Sequence, residues 1–117
     1  MRFYCTDDTV DLEQYPYHVR DVHISDPFIL ADPKSRCYYT YVQFADTERF
    51  PDVETDKEHG VFYVLESKDL IHWSKPQICF RQNNFWADKD YWAPEVHIWK
   101  GRYYLFSSFR ADRKSVV

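Results

Sequence analysis

The pattern of hydrophobic and polar positions predicts β-strands along most of the chain. Residues 37–44, 61–65 and 102–109 are dense in aromatic and β-branched side chains, which favour strands. The first 24 residues are polar and aromatic without a clear period, and Pro16 interrupts any helix there. The pattern therefore predicts an all-β fold.

Both faces of the predicted strands carry bulky side chains. Alternate positions of residues 37–44 give two such faces: Tyr38, Thr40, Val42 and Phe44 on one, and Cys37, Tyr39 and Tyr41 on the other. A sheet with one face in water would alternate apolar with polar residues instead. We therefore expect these strands to be covered on both sides, as in stacked sheets.

The connections between the strands differ in kind. Lys100 and Gly101 separate two strand-like runs and predict a tight hairpin. Residues 45–60 form a charged stretch that is longer than most connections, for which a solvated insertion is the favoured interpretation and a functional loop the alternative. Only residues 68–70 resemble a single turn of helix.

A short internal repeat points to a more specific architecture. Residues 26–30 and 37–41 match residues 93–97 and 102–106, with a proline and a tyrosine pair at the same places. A recurring proline-led strand followed by an aromatic hairpin is typical of the four-stranded blades of a β-propeller. Any two tyrosine-rich hairpins could give the same pattern, so this alternative stays open.

Composition excludes several classes of function. The chain has 117 residues, a formal net charge of −4 and 20% aromatic residues. Its 2 glycines leave no glycine-rich phosphate loop, and no apolar stretch approaches the ~18 residues of a membrane span. The basic residues are not clustered as a nucleic-acid surface requires. We therefore expect no nucleic-acid and no membrane partner.

Cysteine and histidine give no sign of a cofactor. The 3 cysteines are far apart and the 5 histidines do not cluster at ligand spacings. We expect neither a disulfide framework nor a metal site, and no cofactor. The first ten residues lack the apolar core of a signal peptide, so the expected location is cytoplasmic.

Asp26 is the first candidate for chemistry. Because Pro27 disfavours the helical region for the residue before it, we expect Asp26 to be extended where a strand begins. A carboxylate held rigidly at such a place suits a general base. The alternative is that Asp26 only starts a turn, as Asp32 and Pro33 do in the predicted hairpin loop.

Residues 85–96 combine large aromatic and ionisable side chains, as a carbohydrate surface does. Sugars place their apolar C–H faces on aromatic rings and their hydroxyl groups on carboxylates. The side chains that would form such a surface are Trp86, Asp88, Tyr91, Trp92 and Glu95. The alternative is that the tryptophans belong to a core between sheets, which is the more common fate of buried tryptophan.

Three motifs extend from about residue 22 to residue 109. They are residues 24–30 followed by Tyr38 and Tyr39; residues 66–73 with Pro76; and residues 91–97 followed by Lys100, Gly101 and residues 103–106. In this order they resemble glycoside hydrolase family 43, whose arabinofuranosidases, xylosidases and arabinanases share a five-bladed β-propeller. The resemblance implies the N-terminal part of such a catalytic domain: a lead-in segment at 1–21, a first blade at 22–80 and an incomplete second blade at 81–117.

The resemblance also implies roles for individual residues. Asp26 corresponds to the general base that activates water for inverting hydrolysis of arabinose- or xylose-containing glycans. Trp92 corresponds to a wall of the sugar subsite, and Phe44 is a candidate for a second wall. Glu95 is a substrate-side or structural residue, and Trp86 and Tyr91 complete the substrate-binding set.

The family's remaining catalytic carboxylates belong to its third and fourth blades. We therefore expect this chain, as a truncated fragment, to have negligible hydrolytic activity of its own. The alternative function is a non-catalytic, carbohydrate-binding piece of a propeller. In either case the partner is a carbohydrate, and open sheet edges favour self-association.

Overall fold

The structure, a computed structural model, describes residues 10–47, 49–50, 60–82, 85–87 and 89–110, without the side chains of residues 44, 45, 89 and 90. Within these residues lie the strands β1 (Tyr17–His18), β2 (Phe28–Asp32), β3 (Cys37–Gln43), β4 (Gly60–Ser67), β5 (His72–Trp73), β6 (Gln77–Arg81), β7 (Lys89–Trp99) and β8 (Arg102–Arg110). Helical structure in the same part of the chain is confined to α1 (Phe44–Thr47) and a 3-10 turn (Val19–Asp21). The predicted all-β class is confirmed, and none of these helices is long and apolar enough to cross a membrane.

The first sheet contains a four-stranded antiparallel unit. Strands β2, β3 and β4 pair in chain order, and β6 pairs with the beginning of β4. The other end of β4 pairs with β5, to which β1 is added. The unit β2–β3–β4–β6, with β2 at its edge, has the arrangement of one propeller blade.

The two faces of the first sheet are covered by different parts of the chain. On what we call its back face, Tyr38, Val42, Tyr63, Leu65 and Trp73 pack against Tyr17, Val22, Ile24 and Phe50. The lead-in segment is held there by Tyr15, whose hydroxyl donates to Glu66 at 2.5 Å. The opposite, front face carries Tyr41 and Phe62, which are also buried. The expected two-sided covering is thus confirmed for β3, whereas Ile29 on the edge strand β2 is 49% exposed and most side chains of β8 are exposed.

Strands β7 and β8 form the second sheet as a tight hairpin. Trp99 pairs with Arg102, which leaves Lys100 and Gly101 as the loop, as predicted. Both loop residues have positive φ, 49° and 74°, which is the backbone of a type I′ turn. The strand before the turn is longer than the pattern suggested, since β7 already begins at Lys89.

The hairpin packs on the front face of the first sheet. Its back face carries Val96, which is 3% exposed, and Tyr103, whose hydroxyl donates to Asp32 at 2.5 Å. The Phe28 and His97 rings lie 5.2 Å apart near the beginning of β2. The hairpin's own front face is formed by Glu95, His97, Trp99, Tyr104 and Phe106, which are all exposed, although His97 also contacts Phe28.

Residues 68–70 are not a turn of helix, which corrects the sequence interpretation. Side chains hold the turn instead, because the Ser67 hydroxyl accepts from the Leu70 amide and Asp69 Oδ1 accepts from the His72 amide. The Asp69 carboxylate also pairs with His72 Nδ1 at 2.8 Å, and Trp73 Nε1 donates to the Leu70 carbonyl. Leu70 has φ of 67°. The spacing of serine, aspartate, leucine and tryptophan therefore encodes a capped turn.

Other boundaries differ by a few residues. The predicted strand at residues 37–44 ends at Gln43, because Phe44 begins α1. This helix occupies the start of the charged stretch that was interpreted as a solvated insertion. Residues 48 and 51–59 of that stretch lie outside the described residues.

Asp32 shows why the contact between the sheets depends on pH. Its burial by itself would raise the pKa, but hydrogen bonds from Tyr103, Lys34 and Ser35 outweigh burial and hold the pKa of Asp32 below its usual range. The contact therefore stabilises the fold above the carboxyl's ordinary pKa of ~3.9. This stabilisation is lost as the pH falls through the lower folded-state pKa.

We expect Tyr103→Phe to lower the free energy of unfolding by about 1 kcal/mol at neutral pH, since the half-exposed tyrosine loses its bond to a carboxylate. Acid unfolding should begin at a higher pH, because Asp32 then binds a proton more readily. Urea unfolding followed by circular dichroism at neutral and acid pH measures both effects. Tyr104→Phe, on the opposite face, is the control. Equal effects of the two variants would contradict the assignment.

Candidate active site

Asp26 lies where the chain turns into β2, with its side chain exposed to solvent. Its φ is 49°, so the expected extended backbone is wrong. The left-handed region accommodates the sharp bend between the lead-in segment and the strand, and aspartate tolerates that region better than most residues. Pro27 is followed directly by the first residue of β2, so the predicted start of the strand is confirmed.

Two contacts fix the backbone just before Asp26. The Asp46 carboxylate, 2% exposed, accepts from the Ser25 amide at 3.1 Å and from the Ser25 hydroxyl at 3.3 Å. Arg49 donates to the His23 carbonyl at 2.9 Å. The region around α1 therefore holds the bend in place. A carboxylate on so constrained a backbone is positioned in the way a general base requires.

The second sheet repeats this backbone at the corresponding position. Ala93 precedes Pro94 as Asp26 precedes Pro27, and its φ is 48°. Register shifts lie on both sides of Trp92, between Lys89 and Trp92 and between Trp92 and Glu95. Such bulges redirect side chains and are common beside active sites.

The aromatic candidates have different surroundings. Trp92 is 49% exposed and Trp86 is 48% exposed, so neither is a core residue. One side of Trp86 packs on Phe109 at 5.3 Å between ring centres. Tyr91 instead lies among aromatic rings between the two sheets, 5.9 Å from Phe62, and its hydroxyl donates to the Ala87 carbonyl. Its predicted role in substrate binding stays a prediction.

Glu95 is exposed and pairs with a histidine on the same face of β7. Its Oε2 lies 2.8 Å from His97 Nε2. Both side chains are about half-exposed, at 51% and 53%, so the pair is accessible to a ligand and screened by water. The carboxylate can accept a hydroxyl group while the imidazole donates or accepts, according to its tautomer.

Packing between the sheets places β2 against the later part of β7. Phe28, at the start of β2, meets His97, and Asp32, at its end, meets Tyr103, which lies opposite Ile98. Asp26 precedes one strand, and Trp92 lies in the first part of the other.

Two predicted candidates cannot be placed. The side chain of Phe44 and the whole of Asp88 lie outside the described residues. Within the described ranges, no group of three or more histidine, cysteine, aspartate or glutamate side chains is arranged to hold a metal ion.

Comparison with known sequences gives the family. The sequence profile of glycosyl hydrolases family 43 matches residues 18–116. The chain belongs to this family. Comparison with curated proteins gives no match. The motifs around Asp26, Ser67 and Trp92 are therefore those of a family 43 protein.

A solved family relative gives the same fold. The crystal structure of an endo-arabinase from Bacteroides thetaiotaomicron matches with a TM-score of 0.62 and 32% sequence identity. The match covers 82% of this chain and 29% of the endo-arabinase. The chain thus spans less than a third of that protein, and its fold is that of part of a family 43 propeller.

Asp46 is the site residue that the sequence interpretation missed. It lies in a charged stretch and carries no motif, and its partner Ser25 is distant in the sequence. The signal for it in the sequence was the length of the charged loop, because loops of this length are often functional. Its burial and its two bonds to Ser25 make it a positioning residue for Asp26.

We expect Asp46→Ala to destabilise the fold by about 1–3 kcal/mol, because the Ser25 amide and hydroxyl lose their acceptor. Asp46→Asn should recover part of this loss, since its amide oxygen still accepts one bond. Thermal unfolding measures the change. Asp21→Ala, an exposed acidic residue upstream, is the matched control. An Asp46→Ala variant as stable as this control would contradict the positioning role.

Proposed function

We propose that this chain is the base-bearing part of a glycosidase that acts on arabinose- or xylose-containing glycans, with Asp26 as the general base. The observation that supports the proposal is the exposed carboxylate of Asp26 on a constrained backbone before Pro27, with the half-exposed Trp92 beside the equivalent proline-led turn of the second sheet. In this proposal the carboxylate and the indole contact the same sugar chain.

Asp26 would act on water rather than on the sugar. In inverting hydrolysis, the base removes a proton from water as the water oxygen bonds to the anomeric carbon. The glycosidic C–O bond breaks, and a carboxylic acid donates a proton to the leaving oxygen. The two carboxyl groups stand roughly 6.5–9.5 Å apart to make room for the water.

We assign no described carboxylate as that acid. Glu95 is paired with His97 and is proposed to contact substrate hydroxyl groups, while Asp32 and Asp69 hold turns. The chain as printed is therefore proposed to bind its glycan and to have negligible turnover. Its cytoplasmic location stays a prediction.

Arabinan is the first substrate to test. The similar solved structure is that of an endo-arabinase, which supports this choice, and we propose xylan as the second substrate to test. The pentose ring would stack on Trp92, whose exposed face offers an apolar platform. Such a platform recognises the shape of the sugar ring, so the choice between arabinose and xylose must come from the polar groups around it.

A second candidate function is glycan binding without chemistry. It is favoured by Trp86 and Trp92, which are both nearly half-exposed although tryptophan is usually well buried. Under this hypothesis Asp26 only forms the turn before β2 and has no catalytic role.

Hydrolysis and binding assays on the intact chain distinguish these proposals. Arabino-oligosaccharide and xylo-oligosaccharide titrations followed by tryptophan fluorescence should show binding that Trp92→Ala weakens at least about tenfold. Asp26→Asn should leave binding nearly unchanged, since asparagine also tolerates the left-handed backbone. Asp21→Asn serves as the control for loss of an exposed carboxylate.

Release of reducing sugar completes the test. We expect no measurable turnover by the chain as printed. Turnover that Asp26→Asn lowers by about 10²- to 10⁴-fold would contradict inactivity and support the base. Turnover that survives Asp26→Asn would contradict the base. Binding that is unchanged in Trp92→Ala would contradict the proposal that the sugar stacks on Trp92.

A further inference from the structure

Gln43 is the last residue of β3, at the end of the first sheet where the chain bends at Asp26. The outermost pair of β2 and β3 at this end is Phe28 with Tyr41. Asp26 lies two residues before this pair on one segment, and Gln43 lies two residues after it on the other. The candidate base and Gln43 therefore flank the same pair of the ladder.

A hydrogen bond closes the same junction from the other side. The Asp46 carboxylate accepts from the Ser25 amide at 3.1 Å. Ser25 directly precedes Asp26, and Asp46 follows Gln43 by three residues. Asp26 and Gln43 are thus enclosed between a strand pair and this bond, so both belong to the junction that positions the candidate base.

The side chain of Gln43 lies on the front face of the first sheet, which the hairpin covers. Side chains two residues apart on a strand share a face, and Tyr41 is one of the buried residues of the front face. The residue opposite Gln43 on β4 is Phe62, whose ring lies 5.9 Å from the ring of Tyr91. Tyr91 directly precedes Trp92. Gln43 therefore lies in the part of the first sheet that contacts the chain just before Trp92.

The amide oxygen of Gln43 has no donor among the described residues. This Oε1 atom is buried, although the residue as a whole is partly exposed. A buried acceptor without a donor costs free energy, and native proteins retain few of them. An unpaired acceptor beside a candidate site indicates a donor that arrives with a ligand. Sugar hydroxyl groups are such donors, and the amide N–H groups can donate to neighbouring hydroxyl groups in turn.

We propose that Gln43 is a substrate-binding and specificity-determining residue, whose amide oxygen accepts a hydrogen bond from a hydroxyl group of the pentose bound at Trp92. The inference rests on the proposed function, because it requires one sugar chain to contact both Asp26 and Trp92. An aromatic platform recognises the shape of a sugar ring. A buried polar group instead discriminates between hydroxyl configurations, because a sugar that leaves the group unpaired binds less tightly. Gln43 would therefore contribute to the choice between arabinose and xylose.

Oligosaccharide titration of Gln43→Met tests the inference, since methionine keeps the length of the side chain and removes the amide. With the intact chain and tryptophan fluorescence, the dissociation constant for the preferred arabino- or xylo-oligosaccharide should rise about 2- to 12-fold, as one hydrogen bond predicts. The preference between the two sugars should shrink. Without sugar, the Tm should be unchanged or higher, because the unpaired acceptor is gone. Gln77→Met, the same change at an exposed position of β6, is the control.

Nuclear magnetic resonance of the wild type adds a direct signature that needs no stable variant. The side-chain amide peaks of Gln43, identified by their absence in Gln43→Met, should shift as oligosaccharide is added. Weaker binding by Gln43→Met without such a shift would assign Gln43 a structural role and overturn the inference.

The proposed function can fail separately from this inference. Binding that Trp92→Ala weakens but Gln43→Met leaves unchanged would overturn the role of Gln43 alone. A wild type that binds neither oligosaccharide would overturn both proposals.

Discussion

Packing of the β7–β8 hairpin on the front face of β2 and β3 is the constraint on which the rest of the structure depends. It buries Val96 and joins Asp32 to Tyr103 through a hydrogen bond to a carboxylate, which is stronger than a bond between neutral groups. The same packing places the later part of β7 beside β2. Without it, Asp26 and Trp92 would have no fixed relation to each other.

The two sheets share one backbone conformation, a positive φ before a proline, with different side chains. Asp26 and Ala93 both adopt positive φ directly before a proline. For alanine this conformation is costly, which shows that the turn into each strand requires it. In the first sheet the residue with positive φ is Asp26, which has a carboxylate side chain and whose backbone is anchored by Asp46. In the second sheet it is Ala93, which has only a methyl group and follows the exposed Trp92.

The sequence predicted those features of the fold that depend on the local pattern of residues. Two-sided strands, the Lys100–Gly101 hairpin and the proline-led repeat are encoded by neighbouring residues, and the family motifs identified the fold. The left-handed backbone of Asp26 was missed, because the effect of Pro27 was considered without the distant anchor at Asp46. The long start of β7 was missed because its bulges interrupt the alternation of residues 89–95. The turn at Ser67 depends on side-chain bonds, which a propensity pattern does not contain.

The nuclear Overhauser effect between the Phe28 and His97 rings tests the central claim most directly. Their ring centres lie 5.2 Å apart because the hairpin packs on the first sheet. In a sample labelled selectively on phenylalanine and histidine, we expect a cross-peak that disappears in His97→Gln. A folded protein without this cross-peak would show that the hairpin does not pack on the first sheet.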